Sequence, residues 1–308
     1  MAVSAIGFGC GALMQSPSRK ERMAVLAGAV DSGITHFDTA RMYGLGMAEA
    51  ELGFFLRTLD RGSVTIATKF GIDVGGAARR LGRLQGPARA LLKKAPALRR
   101  IVKRQQAPSA TARAYDVAVA ARSLDESLAA LGVDYVDILF VHAPRPQDTV
   151  ASDELREFFE RVSQQGKIRA WGVSQDEGLE VDFVRAFAPR GVSQLRSDLL
   201  NPSPRPADIA FGVLDGPYRR LSGALLSDPG LAGRWREALQ IDPLAPGVLP
   251  RLILASSATA TGCRAMLYST TRPQRVAEAA TAVSSPPDAE TVTRFLALVR
   301  EFREGAAA

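Results

Sequence analysis

Two cysteines, Cys10 and Cys263, and two histidines, His36 and His142, are all that the 308 residues contain. Two thiols rule out a disulfide framework and a Cys-rich metal cluster. Two imidazoles and two thiols leave too few nitrogen or sulfur ligands for an ordinary zinc site, so no metal is expected. No run of about 20 apolar residues occurs, which excludes a hydropathic membrane span. The opening MAVSAIGFGCGAL has no basic segment before its apolar one and does not read as a secretion signal. A cytoplasmic chain with no membrane partner is the resulting expectation. Acidic residues are missing from one long stretch: between Val74 and Tyr115 there are 11 Lys or Arg and no Asp or Glu. The net charge of +7 is therefore local. Outside that stretch the chain holds 28 basic and 32 acidic residues, a mildly acidic body carrying one basic insert. A nucleic-acid partner is not expected, because the insert has no interleaved aromatics on which bases could stack.

Apolar residues make up 46% and charged ones 23%, the balance of a globular chain. Short apolar runs alternate with helical patterns, which predicts a parallel sheet with crossover helices. The strand candidates are Ala5–Gly9, Thr35–Thr39, Val64–Lys69, Val136–His142, Arg169–Ser174, Ser193–Ser197, Ile209–Leu214 and Ala265–Ser269. Most lack alternation, as strands covered on both faces do. Helices are expected at Arg19–Ser32, Glu49–Leu59, Ala118–Leu131, Asp153–Gln165, Asp182–Phe187, Pro229–Leu239, Val248–Ala258 and Pro273–Val283. Gly132 and Gly166 stand where helix-stop glycines belong. The count fits one domain over 1–308, either a closed (β/α)8 TIM barrel or a doubly wound open sheet. The insert at 74–115, between the third strand and the third helix, is the one large irregular segment, and a connection of that length serves as a lid, a binding loop or a disordered strand of chain. The residues after Val283 read as a short tail.

A barrel gathers its reactive groups at the carboxyl ends of its strands. Asp38 and Tyr43 follow the second strand, Lys69 ends the third and His142 ends the fourth. Singly, each has a plain reading: Asp38 as a helix N-cap, Lys69 as a solvated strand end, His142 as a structural imidazole, Tyr43 as a rim residue. Together an acid, a phenol, an ammonium and an imidazole converge on one pocket. A phenol has a pKa near 10, and an adjacent ammonium is expected to lower it. In this scheme Lys69 tunes Tyr43, Asp38 keeps Lys69 charged, and His142 orients a substrate oxygen. That equipment protonates a carbonyl oxygen but supplies no hydride, so a redox cofactor is implied.

GITHFDTARMYG, ATKFG, SLDESLAALGVDYVDILFVHAP and GKIRAWGVS together resemble an aldo-keto reductase, from about Val3 to Ala280 apart from the insert. The resemblance implies a (β/α)8 barrel binding an extended NADPH, with NADH the lesser candidate, and reduction of an aldehyde, ketone or keto-sugar to an alcohol. It implies that Asp38, Tyr43, Lys69 and His142 are the catalytic set, with Tyr43 the general acid. Ser174 and Gln175 match the Ser-Asn pair that holds the nicotinamide carboxamide, Gln175 being one methylene longer. Gln194 matches a further carboxamide contact, and Phe211 the aromatic, usually Tyr, that stacks on the nicotinamide. Ser269, Thr270, Arg272 and Arg275 resemble the segment gripping the 2′-phosphate, and Glu278 the acid near the adenine. The sequence departs from the pattern at Ser197, where relatives have Tyr, and at Ser269 and Ala279, where they often have Lys and Asn. Many relatives begin with a β-hairpin, and the expectation here is either that it is reduced or absent or that the true start lies upstream. A cofactor-binding regulatory subunit on the same fold, comparable to potassium-channel β subunits, is the alternative function. His36, Trp171 and Trp235 read as structural, and both cysteines as small buried hydrophobes.

Overall fold

A computed structural model describes residues 3–73, 112–176, 187–188 and 191–305. Most of the basic insert, 74–111, and the expected helix over 182–186 lie outside the described residues.

The strands are β1 (Ile6–Gly9), β2 (His36–Asp38), β3 (Thr65–Phe70), β4 (Ile72–Asp73), β5 (Ala112–Arg113), β6 (Val136–His142), β7 (Ile168–Gln175), β8 (Val192–Arg196), β9 (Ile209–Phe211) and β10 (Ala265–Tyr268). Eight of them close a parallel barrel in the order β1-β10-β9-β8-β7-β6-β3-β2. The expected (β/α)8 architecture is therefore the observed one, and the open-sheet alternative is excluded. The small pair β4 and β5 lies outside the barrel and is antiparallel, with Ile72 opposite Arg113. It joins the two ends of the insert.

The helices are α1 (Arg19–Asp31), α2 (Ala48–Leu56), α3 (Val117–Leu131), α4 (Ser152–Gln164), α5 (Asp215–Ser227), α6 (Pro229–Leu239), α7 (Val248–Ala260), α8 (Pro273–Ser284) and α9 (Ala289–Gly305). Local chemistry sets their ends. Ser18 and Glu21 form a reciprocal capping box on α1. Asp116 caps α3 through Val119 N–H, and Gly132 ends it at φ 66, a left-handed cap that costs glycine no Cβ clash. Helix α4 buries Leu155, Phe158, Phe159 and Val162, the i, i+3, i+4, i+7 face that packs on the barrel.

Three apolar layers result. Ala67, Ile138, Phe140, Ile209 and Ala265 fill the barrel interior. A larger layer joins strands to helices, where Trp171 stacks on Phe159 at 4.5 Å. The third lies among later helices and holds Leu221, Trp235, Leu252, Phe295 and Val299.

Two helices depart from the sequence-based expectation. The run Ile209–Leu214 is a strand only to Phe211; Gly212 turns at φ 77 and α5 begins at Asp215. Pro217 falls in the first turn of α5, where its missing N–H has no intrahelical partner to lose. The short tail expected after Val283 is instead α9, which buries Val292, Phe295 and Val299 at helical spacing. Cys10 is fully buried as expected, whereas Cys263 is only half-buried, beside Thr261 Oγ1.

Candidate active site

Register brings the polar residues together. Asp38 pairs with Ala67 across β2 and β3, so Lys69, two residues further on, points to the same side beyond it. His142 pairs with Ser174, and Ser174 with Gln194, across β6, β7 and β8. Tyr43 stands on a tight turn after β2. Gly44 there has φ 57, and an added Cβ would lie 2.2 Å from Met14 Cγ, so glycine is required to bring the turn this close.

Lys69 is 1% exposed and Asp38 2% exposed. Lys69 Nζ donates to Asp38 Oδ1 at 2.5 Å, to the Thr39 carbonyl at 3.0 Å and to the Tyr43 hydroxyl at 3.4 Å. The second carboxylate oxygen of Asp38 accepts from Gln194 Nε2 at 2.7 Å, and Gln194 Oε1 accepts from Ser174 Oγ at 2.5 Å. Asp38 thus binds Lys69 rather than capping a helix. The His142 ring meets the Tyr43 ring edge-on, centroids 5.9 Å apart. Its Nδ1 is buried and has no protein partner.

These contacts set the protonation states. Burial works to strip the proton from Lys69, but Asp38 and Tyr43 outweigh it and its pKa ends above the usual lysine value. Burial, then the Lys69 and Arg113 charges, hold the His142 pKa well below that of a free imidazole, so the ring is neutral at pH 7. For Tyr43 the expected lowering by Lys69 is overturned. Burial dominates and raises its pKa; the Lys69 charge opposes this without reversing it. The phenol therefore keeps its proton at neutral pH.

A cavity of about 550 Å³ opens above this cluster. Asp38, Tyr43, His142, Ser174, Gln194, Phe211 and Ser269 all line it. Lys69 lies beneath it. A second cavity, about 680 Å³, is lined by Thr270, Arg272, Arg275 and Glu278. The two share Leu214, Tyr218 and Tyr268 and so adjoin. Arg275 donates to Glu278 at 2.9 Å, and Ser269 Oγ donates to the Gly9 carbonyl at 2.7 Å. Besides Lys69, Gln175 is the residue of the expected set that lines neither cavity. It is buried, its Nε2 donates to the Pro144 carbonyl at 3.3 Å, and its Oε1 has no partner.

The sequence reading missed Asp176, Arg196, Asp215, Tyr218 and Tyr268 on the first cavity's wall. Arg196 lies 3.5 Å from Asp176, with its guanidinium 5.2 Å above the Phe211 ring. Strand alternation would have found this pair: Asp176 follows Ser174 by two residues and Arg196 follows Gln194 by two. Tyr218 and Asp215 sit on α5, which the sequence reading did not anticipate.

The aldo/keto reductase family model matches residues 5–191, more than half of the sequence. The chain belongs to the aldo/keto reductase family. A D-threo-aldose 1-dehydrogenase of Pseudomonas sp is 30% identical over 72% of this aldo/keto reductase and 59% of its own length. An NADP(+) aldo-keto reductase of Schizosaccharomyces pombe is 31% identical over 63% of this chain and 48% of its own. The chain thus spans about half the length of these curated relatives. A solved aldo-keto reductase from Klebsiella pneumoniae, in complex with NADPH, superposes with a TM-score of 0.62 at 20% identity, covering 98% of this chain and 92% of that one. That likeness shows the fold. Among the described residues, no helix is long and apolar enough to cross a membrane and no acid, His and Cys cluster is suited to a metal.

Proposed function

We propose that this family member is an NADPH-dependent oxidoreductase that reduces an aldehyde, ketone or keto-sugar to an alcohol. The observation that carries the reading is the buried Asp38–Lys69 pair under the hydroxyl of Tyr43, with neutral His142 beside it on the same cavity wall. The cofactor fits on independent grounds. Two adjoining cavities suit an extended dinucleotide, one bearing Tyr43 and His142 and the other Arg272 and Arg275.

When bound, a reduced nicotinamide would supply the hydride for the carbonyl carbon. Ser174 and Gln194 would orient its amide end, and Phe211 would offer a ring face. Arg272 and Arg275 would hold the 2′-phosphate end, where a forked guanidinium suits phosphate geometry. His142, carrying one N–H and no charge, donates to the carbonyl oxygen and turns it toward Tyr43. Tyr43 gives its proton to that oxygen as negative charge grows there. The Lys69 ammonium at 3.4 Å then steadies the phenolate left behind. Asp38 keeps that ammonium charged and fixed.

Tyr43→Phe tests the proposal. Its NADPH affinity, read by nicotinamide fluorescence, stays at the wild-type level, while turnover of a panel of aldehydes, ketones and keto-sugars falls by a factor of about 10² or more. Wild-type turnover in this variant refutes the assignment of the acid. NADPH binding with no turnover by the wild-type protein across the panel favours a regulatory subunit.

A further inference from the structure

Beyond the groups that touch the cavity, one buried assembly acts on the strand end that carries His142. The chain leaves β3 just after Lys69 and turns at Gly71, whose φ is 107. An added Cβ on Gly71 would stand 2.1 Å from Tyr115 Cε1, so the Tyr115 ring packs directly against bare backbone. Tyr115 is 2% exposed, and its hydroxyl donates to the His142 carbonyl at 2.9 Å. Arg113 Nη1 donates to the next carbonyl, that of Ala143, at 2.6 Å and to the Tyr115 hydroxyl at 3.2 Å. Ala143 has φ 44, a left-handed conformation that a β-carbon disfavours and that the surroundings must hold. Backbone bonds complete the frame: Ala114 N–H donates to the Gly71 carbonyl at 3.0 Å and Ala151 N–H to the Tyr115 carbonyl at 3.2 Å. Two side chains therefore grip consecutive carbonyls at the one turn that aims the His142 ring.

We propose that Arg113 and Tyr115 are positioning residues for the reaction: a clamp that fixes the His142–Ala143 turn and ties it to the end of the strand carrying Lys69. The proposal rests on the reading of His142 as the group that orients the carbonyl. The clamp explains how an imidazole with a partnerless Nδ1 keeps one orientation, since no side-chain bond from the ring does so. Arg113 also adds positive charge near His142, reinforcing the neutral ring that burial and Lys69 already favour. Asp148 Oδ2 lies 4.0 Å from the same Arg113 Nη1 and balances its charge.

Tyr115→Phe keeps the ring against Gly71 and removes the hydroxyl that donates to the His142 carbonyl and accepts from Arg113. The expected kcat is roughly three- to tenfold lower, the worth of one uncharged hydrogen bond, with the NADPH Kd unchanged. The presence of only two histidines makes imidazole 15N spectra a direct readout. The His142 resonances move or broaden, while those of His36, tied through Nδ1 to Thr65 Oγ1, stay in place. Arg113→Lys, which keeps charge and donor, retains more turnover than Arg113→Met. Wild-type kcat together with unmoved His142 resonances in Tyr115→Phe overturns the clamp. A parallel change at both histidines with loss of NADPH affinity overturns it too, because that is general damage. If Tyr115→Phe fails to fold, Arg113→Met against Arg113→Lys decides, and equal turnover refutes the proposal. If the wild-type protein reduces no carbonyl, the proposed function falls while the imidazole spectra still test the clamp.

Discussion

Replacing Asp38 by Asn changes no volume and gives a sharp account of what the buried pair does. The carboxylate serves two donors, Lys69 Nζ at 2.5 Å and Gln194 Nε2 at 2.7 Å, each on its own oxygen. Asn has one acceptor oxygen, so one of these donors faces an amide N–H instead. Lys69 also loses the charge that outweighs its burial, and its amine moves toward the neutral form. Breaking a buried pair from one side costs about 3–5 kcal/mol, because the remaining charge is left in a dry site. Lys69→Met should cost a similar amount, leaving the carboxylate to Gln194 alone. The double variant Asp38→Asn with Lys69→Met leaves no stranded charge, and its cost should fall to about 2 kcal/mol or less. Urea unfolding followed by the fluorescence of Trp171 and Trp235 measures all three. Turnover should be lost in all three, separating stability from chemistry. If the single costs simply add in the double variant, the two groups do not stabilise each other and the account of the site's electrostatics is wrong.

Arg275→Met should weaken NADPH about 10- to 150-fold, the worth of a charge-assisted bond, and leave NADH unaffected; equal loss for both cofactors places the 2′-phosphate elsewhere. Burial lowers the pKa of both His36 and His142, so the unfolded chain takes up protons first as pH drops below about 6.5. Stability should therefore decline from pH 7 to 5.5, by up to about 1.4 kcal/mol per pH unit per histidine, and a flat thermal midpoint across that range contradicts the assignment. Phe295→Ala should cost about 3–5 kcal/mol and shift Trp235 emission, because that ring is fully buried with its edge on Trp235 at 5.8 Å.

The strands were legible because a parallel barrel buries both faces of each, and such runs stand out among polar helices. Val136–His142 is observed over the residues expected, and the other seven strands differ by one to three residues at an end. Asp38, Tyr43, Lys69 and His142 were legible because barrel geometry sends strand ends to one place. Helix α5 was not, since Gly216 and Pro217 signal a turn locally and only packing of Leu221 and Leu225 on the last helices makes it helical. Helix α9 carried a readable pattern in Val292, Phe295 and Val299 that the tail-like ending obscured. The direction of the Tyr43 shift was out of reach because burial is a property of the folded neighbourhood. Tyr115 was equally hidden: its partners are backbone carbonyls, which every sequence has.

The order of the strands separates two kinds of work along the chain. The proposed proton donor and its tuners come from β2, β3 and β6, all within the first 142 residues, whereas the proposed nucleotide grip begins with Ser174 on β7 and reaches Glu278 in α8. The boundary falls between His142 and Ser174, at the passage from β6 to β7. Inheritance can act on the halves separately: drift or recombination after that point can change which nucleotide is preferred while the acid–base centre passes on intact.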